Sequence, residues 1–178
     1  YENRVYQIGI EDGPPLVAKF YRPGRWSDAA IDEEHDFALE LADAELPVVA
    51  PLLVDGASLL DYDGFRFSLY PRQGGRSPEL EPRDNLEWMG RLLARIHGIG
   101  SRGSFDERGR IDVRTFVREP SRAVLESDLL PSSLARRYRE ITESLADQLD
   151  ARLEAIGPVR QIRLHGDCHR GNVLWTDA

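Results

Sequence analysis

The pattern of apolar and polar residues near the start of the chain predicts a pair of β-strands. Residues 4–10 alternate loosely, residues 16–21 are a β-prone run, and the five residues between them, 11–15, are turn formers. We therefore expect a hairpin there. Two more β-prone runs, at residues 51–54 and 65–70, extend the prediction to a small antiparallel sheet.

Helical spacing of apolar residues occurs in three segments. The first begins after Ser27, a favourable N-cap, and stops before Pro47. The other two have apolar stripes over residues 86–96 and 134–153, and both stripes are expected to lie in the core. These two follow residues 71–78, a stretch of turn formers that is the best candidate for a hinge.

The order of these elements predicts an α+β chain in two parts. We expect a small antiparallel β-rich lobe with one helix over residues 1–70 and a hinge or linker over residues 71–78. The first part of a helical lobe should then occupy residues 79–178. A chain of this length can bury a substantial core in either arrangement, one domain or two small lobes.

The composition of the chain argues against two classes of partner, membranes and nucleic acids. No apolar run approaches the roughly 18 to 20 residues that span a bilayer, so we expect a cytoplasmic protein without a membrane partner. The net charge of -8 argues against nucleic acid as a partner, because nucleic-acid binders usually carry a basic surface. The single cysteine, Cys168, excludes an internal disulfide and leaves a redox role open.

The densest group of chemically useful side chains lies in residues 164–172. Phosphoryl transfer to a hydroxyl needs a carboxylate that accepts or orients the proton and an oxygen ligand for magnesium. Asp167 and Asn172 can supply these, and their spacing of five positions is that of the catalytic loop of protein kinases. Short β-prone runs at residues 160–164 and 172–175 flank the loop and favour a strand-loop-strand arrangement.

A lysine and a glutamate in the first part of the chain form a second candidate pair. Lys19 lies in the middle of the second strand, on the face shared by Val17 and Tyr21. Glu34 falls within the apolar stripe of the first helix, and a carboxylate that faces the core needs a partner. Lys19 is the natural candidate. The alternatives are a solvated lysine on an open sheet face and a glutamate on the flank of the helix.

The catalytic-loop motif resembles that of a known family. Aminoglycoside phosphotransferases and choline kinases, which have a bilobal protein-kinase-like fold, carry His-Gly-Asp-x-His-x-x-Asn, matched here by His165, Gly166, Asp167, His169 and Asn172. Within that family the chain is most similar to bacterial serine/threonine protein kinases of the stress response. The segments that carry the similarity span nearly the whole chain: residues 1–7, 19–23, 33–35, 74–76 and 164–175.

The resemblance implies a role for each matching residue. Asp167 would be the catalytic base, His165 would brace the loop, and Asn172 would be a magnesium ligand. Lys19 would bind the phosphates of ATP, with Glu34 as its ion-pair partner.

Further nucleotide contacts are implied by the same resemblance. Residues 67–70, with Ser68 and Tyr70, would offer backbone groups to the adenine as the strand enters the hinge. Asn3 and Arg4, in the opening hairpin, would cover the phosphates. The implied cofactors are ATP and Mg²⁺. The implied acceptor is a protein serine or threonine or a small hydroxyl-bearing molecule, and the protein is expected to be a monomer.

Departures from the family pattern limit what the resemblance implies. The opening hairpin has no Gly-x-Gly-x-x-Gly, so contacts to phosphates there must come from other backbone amides. The second magnesium-binding aspartate of the family would lie beyond Ala178. We therefore expect a C-terminally truncated kinase-like fold, and little or no kinase activity from these 178 residues alone.

Other functions remain open from the sequence. A small-molecule kinase would share every motif named above. The run Gly166-Asp167-Cys168-His169 also resembles an element of metallophosphoesterases, and a non-catalytic nucleotide-binding module is a further alternative. A cluster of arginines over residues 100–131 could bind an acidic partner or form a solvated surface; its members are Arg102, Arg108, Arg110, Arg114, Arg118 and Arg122.

Overall fold

The computed structural model describes residues 3–176. Their strands are β1 (Asn3–Ile10), β2 (Gly13–Tyr21), β3 (Leu60–Tyr62) and β4 (Phe65–Pro71). Their α-helices are α1 (Asp28–Asp43), α2 (Arg83–Gly100), α3 (Glu119–Glu126) and α4 (Ser132–Ile156), with a π-helical turn at Arg114–Arg118 and a 3-10 turn at Arg170–Asn172. The predicted α+β class is confirmed.

The sheet is antiparallel with strand order β1-β2-β4-β3. The predicted hairpin is confirmed as β1 and β2, and β4 pairs with β2 so that Lys19 lies opposite Val5 on one side and Ser68 on the other. Cross-strand partners share a face of the sheet. The side chains of Val5, Lys19 and Ser68 therefore start from the same face.

The prediction of a strand at residues 51–54 is wrong. That stretch forms only a single bridge, between Val54 and Ala57, and donates the Leu52 amide to the Leu69 carbonyl at 2.8 Å. The partner of β4 is instead β3, because Asp63 and Gly64 both have positive φ and close a two-residue hairpin between β3 and β4.

Helix α1 begins where the sequence predicts. The Ser27 hydroxyl accepts a hydrogen bond from the Ala30 amide at 3.1 Å and so caps the helix. The apolar face of α1 is buried and packs with the end of α2. The core formed there contains Phe37, Leu41, Leu46, Ile96 and Ile99. This packing fixes the helix that carries Glu34 against the C-terminal end of α2.

The described chain forms two compact units. One contains the residues up to Arg108 together with those from Ile162 onward, and the other contains residues 109–161. The first unit holds the sheet, α1, α2 and the candidate catalytic loop. The lobe boundaries expected from the sequence, at residues 70 and 79, stay a prediction.

The second unit consists of the π-helical turn, α3 and α4. Arg118 binds Asp147 at 3.0 Å and Asp150 at 2.7 Å on α4. Of the residues of α4, only Ala146 is buried, and the apolar stripe of this helix remains exposed in the described part of the chain. The expectation that this stripe lies in the core is therefore wrong for residues 3–176. None of the helices in that range combines the length and hydrophobicity that crossing a bilayer requires.

Candidate active site

The contact expected between Lys19 and Glu34 is present. Residues 22–27 reverse the chain after β2, and α1 then packs so that Lys19 Nζ lies 2.9 Å from Glu34 Oε1. The two side chains are 22% and 35% exposed, so both charges are largely withdrawn from water. Lys19 Nζ also lies 4.8 Å from the centroid of the Tyr21 ring, on the same face of β2.

The second oxygen of the Glu34 carboxylate has its own cation. Arg108 Nη1 lies 2.7 Å from Glu34 Oε2, and the Arg108 side chain is 24% exposed. Burial by itself would raise the pKa of Glu34, but Lys19 and then Arg108 outweigh it and lower the pKa below its ordinary value. Glu34 is therefore the shared anion of a three-residue ion network.

A buried polar cluster lies directly behind this network. His35 is 1% exposed, its Nε2 is 2.7 Å from the Tyr21 hydroxyl, and its Nδ1 is 2.8 Å from the Ser58 hydroxyl. The Tyr70 hydroxyl lies 3.3 Å from the same Nε2. Burial lowers the pKa of His35 to about 4, a shift that Glu34 opposes and Lys19 reinforces. The imidazole is consequently neutral at physiological pH.

Asp167 and Asn172 are brought together in the loop. The Asn172 Nδ2 donates to Asp167 Oδ2 and to the Asp167 carbonyl, both at 2.9 Å. These bonds occupy the amide nitrogen of Asn172 and leave its Oδ1 as an oxygen ligand. The Asp167 side chain is 76% exposed, so a substrate can reach the carboxylate.

The two histidines of the motif bind the loop backbone. His165 Nδ1 accepts from the Asp167 amide at 3.3 Å, and His169 Nδ1 accepts from the Gly171 amide at 3.0 Å. In neutral His169 the proton is then on Nε2, which lies 3.8 Å from Asp167 Oδ1. The contact of His165 is the kind that its expected bracing role needs, and that role stays a prediction.

The loop is tied to the residues that follow β4. Arg76 and Trp175 exchange two backbone hydrogen bonds, of 3.0 and 2.8 Å, and the Ser77 hydroxyl donates to the Arg170 carbonyl at 3.0 Å. The strands expected at residues 160–164 and 172–175 are reduced to this single bridge at Trp175. The reason is that the loop pairs with the hinge segment rather than with itself.

Arg163 anchors the chain just before the loop. Its amide donates to the Gly100 carbonyl at 3.1 Å, and its Nη1 lies 2.7 Å from Glu40 Oε2 on α1. Its guanidinium lies 4.5 Å from the centroid of the Phe37 ring. The start of the candidate catalytic loop is thereby fixed to both α1 and the end of α2.

The other residues expected to contact the nucleotide do not all lie on the same face of the sheet. Asn3 pairs with Tyr21 and so lies on the face of Lys19, whereas Arg4 pairs with Phe20 and lies on the opposite face. Ser68 and Tyr70 share the face of Lys19, and their side chains point into the cluster around His35. The contacts of these residues with a nucleotide stay predictions.

The sequence pattern does not predict the contact of Arg108 with Glu34. Six arginines fall within residues 100–131, and which of them meets Glu34 depends on the path of the loop after α2. Arg114 binds Glu119 and Arg118 binds Asp147 and Asp150, so several members of the cluster bind acids of the protein itself. This pairing supports the interpretation of the cluster as a charged surface rather than a site for an acidic partner.

The residues present fit the cofactors that the fold implies. The Oδ1 of Asn172 is the kind of hard oxygen ligand that Mg²⁺ prefers, and Lys19 offers an ammonium group for phosphate. Within residues 3–176 there is no group of three or more histidine, cysteine, aspartate or glutamate side chains that could hold a metal ion by themselves. A metal bound at Asn172 would therefore need further ligands, such as nucleotide oxygens.

An antiparallel sheet with a lysine-glutamate pair and, later in the same compact unit, an Asp-Asn loop are the parts of a kinase-like fold. The chain belongs to the phosphotransferase enzyme family, whose model matches residues 1–178. It is 42% identical over its 178 residues to Stress response kinase A of Escherichia coli K12 and 41% identical to Serine/threonine protein kinase RdoA of Salmonella typhimurium. The chain covers 54% of each of these relatives, about half of their length.

Two solved structures share the fold. Amicoumacin kinase hAmiN, in complex with AMP-PNP, Ca²⁺ and Ami, matches 99% of the chain with a TM-score of 0.71 and 20% identity, over 53% of its own length. Spectinomycin phosphotransferase APH(9)-Ia, in complex with ADP and spectinomycin, matches 99% of the chain with a TM-score of 0.64 and 17% identity, over 57% of its own length. These similarities confirm the expected kinase-like fold, present here in part.

Proposed function

We propose that this protein is an ATP-dependent phosphotransferase and that its preferred acceptor is a serine or threonine hydroxyl of another protein. The observation that carries the proposal is the pairing of Lys19 with Glu34 in the same compact unit as the Asp167-Asn172 loop. Phosphoryl transfer needs little covalent chemistry from the protein, so a fixed cation, a base and oxygen ligands for the metal are the main requirements.

Each residue has a defined task in this proposal. Lys19 binds the nucleotide phosphates, and Glu34 holds the ammonium group in place. Asp167 orients the acceptor hydroxyl and accepts its proton, and Asn172 fixes the carboxylate through its amide nitrogen. His165 and His169 keep the loop in shape through the amides of Asp167 and Gly171. Magnesium, when bound, would neutralise charge on the phosphates, and Asn172 would hold it through Oδ1.

The choice of a protein acceptor rests on the relatives. The two bacterial kinases compared above are 41–42% identical along the whole chain, and one is named a serine/threonine protein kinase. A role in the bacterial stress response is proposed on the same ground.

A small-molecule kinase is the second candidate, because the structural neighbours include kinases named for amicoumacin and spectinomycin. A metallophosphoesterase gains no support from the described residues, since no acid or histidine cluster of that kind accompanies Asp167. A module that only binds nucleotide would not need the exposed Asp167 carboxylate, because it transfers no phosphate.

The test uses the protein at the full length that its gene encodes. Transfer of the terminal phosphate of labelled ATP is measured with protein acceptors and with small alcohols and aminoglycosides, for the wild type and for Asp167→Asn. We expect labelled protein with the wild type, and a loss of about 10²–10⁴-fold in rate for Asp167→Asn with ATP affinity retained. Labelling of small molecules alone would select the second candidate, and unaltered transfer by Asp167→Asn would overturn the role of Asp167.

A further inference from the structure

The segment that follows α2 is docked along helix α1. The Glu33 carboxylate accepts hydrogen bonds from three consecutive backbone amides, those of Asp106, Glu107 and Arg108, at 2.6, 3.0 and 2.9 Å. Phe105 packs edge-on against Phe37, with ring centroids 5.6 Å apart. We call residues 105–108 the strap. Its contacts with α1 extend over more than one helical turn, from Glu33 to Phe37.

The end of the strap delivers a fixed guanidinium to Glu34. The Arg108 guanidinium lies 4.4 Å from the centroid of the Trp26 ring, and its Nη1 donates to the Ala30 carbonyl at 3.4 Å as well as to Glu34. With its stem packed and its donors engaged, Arg108 has little freedom to leave the Glu34 carboxylate.

The contact between Arg108 and Glu34 changes the electrostatic environment of Lys19. Glu34 carries one negative charge and contacts two positive ones, through separate oxygens. Arg108 therefore holds the carboxylate in one orientation and also takes up part of its charge, which leaves the Lys19 ammonium both fixed and incompletely neutralised. A lysine that must bind phosphate benefits from both effects.

We infer that Arg108 is a positioning residue for nucleotide phosphates, acting on Lys19 through the shared carboxylate of Glu34. The inference rests on the proposed function and deepens it. A positioning role differs from a merely structural role of the strap. Loss of Arg108 should weaken the contacts with the phosphates of the nucleotide and leave the contacts with its base and ribose unchanged.

The experiment compares affinities for Mg-ATP and for adenosine by calorimetry and competition, with the protein at its full encoded length. For Arg108→Met we expect ATP binding to weaken roughly fivefold to tenfold while adenosine binding changes less than about twofold. Arg108→Lys should restore most of the ATP affinity, because a lysine can still meet Glu34 Oε2. Arg102→Met is the matched control, an exposed arginine of the same segment, and should leave both affinities unchanged.

A double-mutant cycle tests the route through Glu34. In a Glu34→Gln background the further change Arg108→Met should add less than about twofold to the loss of ATP affinity. Equal weakening of ATP and adenosine, or an additive effect in the Glu34→Gln background, overturns the inference. If Arg108→Met fails to fold, Glu33→Gln loosens the strap instead, and an unchanged ATP affinity in that variant overturns the inference as well.

Failure of this inference is distinguishable from failure of the proposed function through Lys19→Met. A selective loss of ATP affinity in Lys19→Met with no change in Arg108→Met would overturn only the role of Arg108. An unchanged ATP affinity in Lys19→Met, or no nucleotide binding by the wild type, would overturn the proposed function and the inference together.

Discussion

Asn172 donates its side-chain amide to the carboxylate of Asp167, with 2.9 Å between Nδ2 and Oδ2. The bond orients the carboxylate through the amide nitrogen of Asn172 and leaves its Oδ1 as the proposed metal ligand. One side chain thus serves both the proposed base and the proposed metal site, so its removal should affect two measurable properties.

Asn172→Ala should raise the magnesium concentration needed for half-maximal transfer by about 10–100-fold and lower the maximal rate. The first effect follows from the lost oxygen ligand and the second from a carboxylate that is no longer oriented. Magnesium titrations of the transfer rate provide the measurement. Arg170→Ala, at an exposed neighbour in the same turn, is the control and should titrate like the wild type. A magnesium requirement unchanged in Asn172→Ala would contradict the assignment.

Glu34→Gln should destabilise the protein by about 1–3 kcal/mol, because it leaves Lys19 and Arg108 close together without the anion between them. High salt should recover part of the loss by screening the two cations. Urea unfolding at low and high salt measures both effects.

Glu87→Gln is the control for that comparison. Glu87 contacts Arg83 and Arg91 on the surface of α2, where its side chain is 47% exposed, so the substitution should cost less than about 0.5 kcal/mol. Equal costs for the two substitutions would show that the Glu34 network is no stronger than a surface contact.

Much of the fold could be predicted because local patterns decide it. The β-prone run around Lys19, the Ser27 cap and the apolar spacing of α1 are all properties of residues close together in sequence, and the structure has the strand, the cap and the helix. The Lys19-Glu34 contact could be predicted from these elements, since a carboxylate that faces the core from a helix packed against a strand needs a cation.

The parts that could not be predicted depend on contacts distant in sequence. Arg108 reaches Glu34 from 74 positions further along the chain, and the backbone of Trp175 pairs with Arg76 across 99 positions. β3 escaped prediction because the pattern at residues 51–54 is more apolar than the short strand that follows. Its position is set by the turn at Asp63 and Gly64 rather than by hydrophobicity.

His35 should give the protein an acid-sensitive stability. Burial lowers the pKa of His35 to about 4 from 6.5, so below pH 6.5 the unfolded chain binds a proton that the folded protein does not. The contribution of this group is therefore complete above pH 6.5 and is lost progressively as the pH falls from 6.5 toward 4.

The measurement is the free energy of unfolding in urea for the wild type and His35→Gln between pH 7.5 and pH 4.5. At pH 7.5 the variant should be less stable by about 1–3 kcal/mol, because hydrogen bonds to Tyr21 and Ser58 are lost or weakened. The gap should narrow as the pH falls, since the glutamine side chain does not titrate. A gap that stays constant across this range would contradict the role given to His35.

Two glycines of α2 should respond in opposite directions to the same substitution. A Cβ placed on Gly100 would lie 2.1 Å from the Arg163 carbonyl oxygen and 3.4 Å from the Phe37 ring, whereas a Cβ on Gly90 meets nothing within 4 Å. Gly100→Ala must therefore push away the residues that lead into the catalytic loop, at a cost of about 1–3 kcal/mol. Gly90→Ala should stabilise the protein by roughly 0.5–1 kcal/mol, because alanine has the higher helix propensity at an exposed helical position.

The variants Gly100→Ala and Gly90→Ala also allow effects on stability to be distinguished from effects on the transfer rate. Gly100→Ala should lower the transfer rate even at temperatures where it is fully folded, since Arg163 and the loop after it are displaced together. Gly90→Ala should keep the wild-type rate. Thermal melts and transfer assays on both variants, run side by side, give the comparison. If Gly100→Ala had the stability and transfer rate of the wild type, the close contact between Arg163 and the end of α2 would not be needed to position the loop.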